Sequence, residues 1–400
     1  MKKILFAINT LGRAGAERAL INLLKTLSPE KYDIELIVMC EEGELINELP
    51  SYVKLIGNCD DTEVLSEEGR RRLRRFCVRR FIRHGNGLRL LPYMADGYLK
   101  MRAKGRIMPE KLIWRLISDG APRSDKFYDV AIAYLEGAST YYVSDHVKAA
   151  RKIAFVHVNY ELAGYSRQLD RDCFENFSKV YTVSEEIKES FLSVHPKMRD
   201  KTGVFENIID AEAIERLACE DIRFDEDYDG TRIISLGRLT DQKAYDISIE
   251  AMKLLKESGI NARWYVLGDG PEKDRLEKQI KKNGLVKDFI LLGAKNNPYP
   301  YLKRSDIYVH ASRYEGKSLA LREAKILGCA IVASDVPGNR EQITDEINGL
   351  LCGLSARELA DAVRKLIDND ILRKRLSEGA EKESLEMRDP EEELFCMITD

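Results

Sequence analysis

Apolar runs too short to be buried helices recur along this chain, each pair separated by enough sequence for one helix. In the second half they fall at 232–236, 262–267, 289–292, 307–311, 330–333 and 349–352. Runs of this length without polar alternation suit strands covered on both faces, as in a parallel sheet. Parallel strands need a crossover, and the helix-length segments supply it. The first half shows the same pattern at 3–9, 34–39 and 53–56, then breaks off and resumes at 130–135, 152–158, 180–183 and 203–205. The expected fold class is α/β, with two Rossmann-like doubly wound domains. A chain of 400 residues lets each domain bury its own core. The segment 206–210 (ENIID) reads as the crossing between them. That gives an N-terminal domain at 1–208 and a C-terminal one at 209–384, closed by a helical tail at 356–380. Pro390 breaks the tail, and 385–400 is expected to cross back to the first domain.

The net charge of −3 conceals a strong asymmetry. Between 70 and 115 stand twelve Arg and three Lys against Asp96 and Glu110, a net +13, so the remainder carries −16. Within an insert at about 65–118, Leu73, Phe76, Cys77 and Phe81 share one helical face among arginines. Two readings stay open: a hairpin packed on its own domain with a solvated basic face, or a surface that docks on an anionic membrane. Nothing accompanies the charge that would mark a nucleic-acid binder. Eight scattered cysteines without C-x-x-C spacing read as free thiols of a reducing compartment. The first apolar run is too short for a signal peptide, and no run is long enough to span a membrane. The expected location is cytoplasmic, peripheral on the inner face of the cell membrane if the insert meets lipid.

The most informative stretch is 307–348. Strand 307–311 leads into the loop 312–317 carrying Glu315, then to Ser318 at a helix N-cap position, with Glu323 on the helix. Ligands of open α/β sheets lie beyond the carboxyl ends of strands, and a helix start favours anions. Two chemistries compete. Residues 311–318 (ASRYEGKS) fit a relaxed P-loop, with Lys317 on phosphates and Ser318 on magnesium. The alternative is the spacing Glu315-x7-Glu323. Earlier in the same half, Arg238 and Lys243 follow strand 232–236 as two cations suited to a diphosphate. In the first half Gly15 opens the loop-to-helix turn, and His157 ends the strand at 152–158. Of the other histidines, His310 reads as core, while His146 and His195 suit helix C-termini.

Taken together, Gly237-Arg238-Leu239 with Lys243, Gly268-Asp269-Gly270, Glu315-Gly316, Glu323, Gly338-Asn339-Arg340-Glu341 and Asn348-Gly349 resemble the nucleotide-sugar half of retaining GT-B glycosyltransferases of family 4. The likeness is dense over 231–352 and sparse before it, resting there on Gly15, His157, 183–185 and 206–210. It implies two domains facing across a cleft and transfer of a sugar from a nucleotide-diphosphate sugar to a hydroxyl of a saccharide or lipid-linked acceptor. It implies roles too: Arg238 and Lys243 on the diphosphate, Glu323 on the ribose hydroxyls, Glu315 beside the sugar, and the Ser318 and Leu319 N–H groups on the distal phosphate. Gly15 would let the N-terminal loop approach the donor, Gly268 and Gly316 would belong to the donor-binding set, and His157 would contact the transferred sugar. No cofactor or metal is implied. The chain departs from the family where Lys317-Ser318 replaces Phe-Gly and where Ala14 replaces a glycine. A P-loop triphosphatase and a non-catalytic subunit of the same fold are the alternatives.

Overall fold

The computed structural model describes residues 1–12, 15–40, 43–56, 125–160 and 167–385, with Ala163, Tyr165 and scattered positions between 95 and 121. The basic face at 70–83, His84, Ala14 and the segment 386–400 lie outside the described residues. The chain forms two compact units that meet in sequence at Ile208 and Ile209.

In the first unit, strands β1 (Lys2–Ile8), β2 (Tyr32–Val38), β3 (Lys54–Ile56), β4 (Phe127–Ala133), β5 (Lys148–Val156), β6 (Lys179–Thr182) and β7 (Thr202–Val204) form one sheet. Its order among the described residues is β3-β2-β1-β4-β5-β6-β7, with every pairing parallel. Apolarity marks only the covered part of a strand. β5 begins at Lys148, ahead of its apolar run, because Lys148 and Arg151 pair with Phe127 and Val130 where the sheet edge is solvated. Since β1 lies between β2 and β4, the chain leaves the sheet in opposite directions there, opening a switch point. Asn9 closes that junction: its amide donates to Glu136 O at 2.8 Å and accepts from Ser139 N at 2.9 Å.

The second unit repeats the plan with β8 (Thr231–Leu236), β9 (Ala262–Leu267), β10 (Phe289–Gly293), β11 (Ile307–His310), β12 (Ala330–Ser334) and β13 (Leu350–Cys352). The order is β10-β9-β8-β11-β12-β13, so its switch point lies between β8 and β11. Alternation sorts the strand residues onto two cores. Ile233, Trp264, Val309 and Val332 pack with the helices Tyr245–Glu257 and Ala356–Ile367. Ile234, Tyr265, Tyr308 and Ile331 pack with the helices Ala211–Ala218 and Leu319–Ile326. The buried Trp264 indole is satisfied by Ser235 Oγ at 3.0 Å. The tail expected as one helix is two, Ala356–Ile367 and Asp370–Leu385. Ser355 caps the first, accepting from Glu358 N at 3.2 Å, and Asn369 Oδ1 accepts from Leu372 N at 2.9 Å to start the second. Among the described residues no helix is long and apolar enough to cross a membrane.

Candidate functional site

At the switch point of the second unit, β8 feeds the loop carrying Arg238 and Lys243, and β11 feeds the loop carrying Glu315. Backbone and side chains lace the two loops together. Arg313 N donates to Gln242 O at 2.8 Å, Gln242 Nε2 donates to Tyr314 O at 3.0 Å, and the Arg313 guanidinium forks onto Asp246 at 2.7 and 3.1 Å. Bidentate pairing fixes orientation as well as distance. Within this frame Lys243 Nζ reaches Glu315 Oε2 at 2.7 Å, the two side chains being 15% and 11% exposed.

Glu315 sits among donors. Besides Lys243, Ser312 Oγ donates to Oε2 at 2.8 Å, and His310 Nε2 lies 3.3 Å from the same oxygen. Burial alone would raise its pKa, but the Lys243 charge and the His310 contact outweigh it and hold the carboxyl well below its ordinary range. His310 is shifted down, first by burial and then by Lys243, with Glu315 opposing. A neutral imidazole satisfies both its contacts: Nδ1 accepts from Tyr308 OH at 3.1 Å while Nε2–H donates to Glu315.

The loop 315–318 rests on the turn Pro337–Arg340. A Cβ at Gly338 would lie 2.1 Å from Gly316 O and 2.3 Å from Glu315 O, so only glycine permits that approach. Gly268, at φ +152°, meets the β8 loop likewise, its absent Cβ falling 2.0 Å from Gly237 O. Ser318 occupies the N-cap of Leu319–Ile326, but its side chain makes no capping bond. In the amide orientation that satisfies both groups, Gln342 accepts from Ser318 N at 2.8 Å and donates to Ser318 O at 3.0 Å. The Ser318 N–H expected to meet a phosphate is therefore engaged, leaving Leu319 N–H as the first amide of that helix without an acceptor among the described residues. Glu323 is half-buried and accepts from Tyr299 OH at 3.1 Å. Arg238 is exposed and makes no ion pair among the described residues. Among those residues no group of three or more His, Cys, Asp or Glu is placed to hold a metal ion.

In the first unit, Gly15 begins the helix Gly15–Thr26 after β1. Glu17, buried in its first turn, accepts from Thr10 Oγ1 at 3.0 Å. His157 directly follows β5, and its backbone N–H donates to Glu136 Oε2 at 3.0 Å. Both ring nitrogens are buried and make no hydrogen bond of full geometry among the described residues, though the nearby Asn207 side chain acts on the ring, which packs against Tyr134 at 5.0 Å between ring centroids. Burial pushes its pKa down to about 4, with Asn207 opposing.

Of the residues expected to act together, Lys243 and Glu315 touch, and Arg238, Gly268, Gly316, Ser318, Leu319 and Glu323 lie on loops or the helix start at the same sheet edge. Gly15 and His157 belong to the switch-point edge of the first unit. His310, expected as plain core, is buried but is spent on Glu315. His195, expected to serve a helix end, is buried with Nε2 2.9 Å from Asp170 Oδ2, an oxygen that also accepts from Tyr160 OH. His146 lies 3.0 Å from Asp119 Oδ1. Ser312, Tyr308, Gln342 and Glu136 were missed. One signal was available for two of them, since alternate positions 308, 310 and 312 are polar-capable in an otherwise apolar strand.

Comparison with known proteins gives the setting. Residues 220–383 match the family described as Glycosyl transferases group 1. An uncharacterized glycosyltransferase of Methanocaldococcus jannaschii is 28% identical over 52% of this chain and 60% of its own length. The N-acetylgalactosamine-N,N'-diacetylbacillosaminyl-diphospho-undecaprenol 4-alpha-N-acetylgalactosaminyltransferase of Campylobacter jejuni is 33% identical over 48% of this chain and 50% of its own. The chain thus spans roughly half of the curated relatives it matches. Among solved structures, Anabaena HepE in complex with UDP-glucose superimposes with a TM-score of 0.67 at 16% identity, covering 100% of this chain and 98% of that one. WaaG, a glycosyltransferase involved in lipopolysaccharide biosynthesis, gives 0.60 at 17%, covering 99% of each. These likenesses establish the GT-B fold of two Rossmann-like domains.

Proposed function

We propose that this chain, whose residues 220–383 belong to the glycosyl transferases group 1 family, transfers a sugar from a nucleotide-diphosphate sugar to a hydroxyl acceptor, retaining the anomeric configuration. The observation that carries the reading is the Lys243–Glu315 pair at the switch point of the second unit, 2.7 Å apart. A diphosphate gains charge as its bond to the sugar breaks, and a fixed ammonium stabilises that charge without reorganising at the moment of reaction. Lys243 would turn from Glu315 to the diphosphate, joined by the exposed Arg238. Leu319 N–H would face a phosphate oxygen at the helix start. Glu323 would accept from ribose hydroxyls, where a carboxylate suits paired donors. Glu315 would face the sugar, supported by Gly316. Gly15 and His157 are the first unit's proposed contributions, with His157 neutral and able both to donate and to accept. The two cations would serve without a metal ion.

The triphosphatase reading of 311–318 fails on electrostatics. Its loop would have to wrap phosphates around an ionised, nearly buried Glu315, and Asp335, which follows β12 where such an enzyme would want a further acid for magnesium, is forked by Arg340 at 2.5 and 3.0 Å. The acceptor we propose is a saccharide on a lipid carrier in cell-surface glycoconjugate synthesis, at the cytoplasmic face of the membrane. The named lipid-diphosphate acceptor of the Campylobacter relative and the basic stretch 70–115 support this. A panel of UDP and GDP sugars tests the donor assignment by thermal shift. Saturation at roughly 100 Kd adds about 2.7 kcal/mol, a rise of several degrees. NMR of the product's anomeric proton then tests retention. A melting temperature unmoved by every donor, or an inverted product, contradicts the proposal.

A further inference from the structure

The contacts of Glu315 are one-sided. Lys243 Nζ, Ser312 Oγ and His310 Nε2 all converge on Oε2, at 2.7, 2.8 and 3.3 Å. Oε1 has no partner among the described residues, and the side chain keeps 11% of its surface open. Of the three donors, Lys243 arrives on a flexible stem from another loop. Ser312 and His310 come from the strand and loop that carry Glu315 itself. His310 is held in turn by Tyr308, and both are buried.

We propose that His310 is a positioning residue, which with Ser312 pins Oε2 of Glu315 so that Oε1 alone is presented to the donor sugar. The inference rests on the function proposed above and deepens it. When the diphosphate draws Lys243 away, a carboxylate held by Lys243 alone would follow the ammonium or swing to solvent. His310 and Ser312 keep it in place through that exchange. Glu315 can then accept a sugar hydroxyl on one oxygen in a fixed direction. The imidazole is suited to this because it is a neutral donor: it orients the carboxylate without competing with the phosphate for a cation. His310 touches no substrate itself and acts through Glu315.

The test separates sugar placement from diphosphate binding. Wild-type protein is first screened with UDP, GDP and their hexose conjugates to choose one nucleotide sugar and its nucleoside diphosphate as probes. His310→Leu should lower turnover of the nucleotide sugar about ten- to a hundredfold through kcat, while affinity for the nucleoside diphosphate stays within about twofold. His310→Gln, whose carboxamide nitrogen can donate to Oε2, should recover turnover to within about threefold of wild type. Ser312→Ala, which removes the other fixed donor without touching the core histidine, should lower kcat in the same direction and serves if His310→Leu does not fold. Unchanged turnover in His310→Leu and Ser312→Ala overturns the proposal. So does a glutamine variant as impaired as the leucine, or an equal loss of diphosphate affinity. If no donor binds wild type, the functional reading falls and this inference with it. If donors bind and only the variant pattern fails, the role of His310 alone is rejected.

Discussion

Burial disfavours the charged form of both Glu315 and His157, but only Glu315 has partners that outweigh it, and each outcome can be measured. Glu315 is held below its ordinary value of 4.5 by Lys243 and His310 despite burial. Its contribution to stability is therefore complete above that value and declines as pH falls below it, because the unfolded chain then takes up a proton that the native one refuses. Replacing it with glutamine removes that dependence. The stability gap between wild type and Glu315→Gln should narrow as pH drops from 7 toward 3.5, read by urea unfolding at each pH. A gap independent of pH would contradict the ionised pair. His157 moves the other way relative to its charge: burial favours the neutral ring, down to about pH 4. NMR titration should find its midpoint near 4 rather than 6.5, and Asn207→Ala should lower it further, since Asn207 raises it. Arg238, Lys243, Glu315 and Glu323 stood out in the sequence because charged side chains beyond apolar strand runs fall at a sheet's carboxyl edge, and the structure brings Lys243 and Glu315 of that set into contact. His310 did not stand out. A histidine within an apolar strand looks like core, and only the fold shows that the end of β11 turns it onto Glu315.

Among elements, the strands were readable because both faces are covered, and their starts were not, because the solvated edge admits lysine and arginine. The tail misled for a related reason. A local cap at Asn369 interrupts an otherwise helical pattern, and caps compete with helix through a single side chain. The turn Pro337–Arg340 carries the most direct prediction at this scale. In Gly338→Ala the new Cβ would fall 2.1 Å from Gly316 O. The loop bearing Glu315 would have to shift, at about 1–3 kcal/mol. For a unit of this size that is a fall in melting temperature of roughly 2–4 °C per kcal/mol, with loss of any nucleotide-induced shift. A variant with wild-type melting and wild-type response would show that the approach is not tight.

For the whole molecule, the balance of +13 over 70–115 against −16 elsewhere bears on where the protein works. Each Lys or Arg near an anionic bilayer gains about 1 kcal/mol, and the apolar residues expected from the sequence to share a face, Leu73, Phe76, Cys77 and Phe81, would add insertion. Wild-type protein should sediment with anionic but not neutral vesicles at low salt. Changing Arg71, Arg74, Arg75 and Arg79 to glutamate should abolish it. Equal, poor sedimentation of wild type with both vesicle types would leave the insert a solvated face of its own domain. In the proposed reaction the second unit's switch point holds a diphosphate through Lys243, and calorimetric titration with UDP and GDP measures that contact. Lys243→Ala should weaken binding of whichever nucleotide binds wild type by about 1.5–3 kcal/mol, roughly ten- to a hundredfold, while the protein remains folded by circular dichroism. Affinity equal to that of wild type would contradict the assignment.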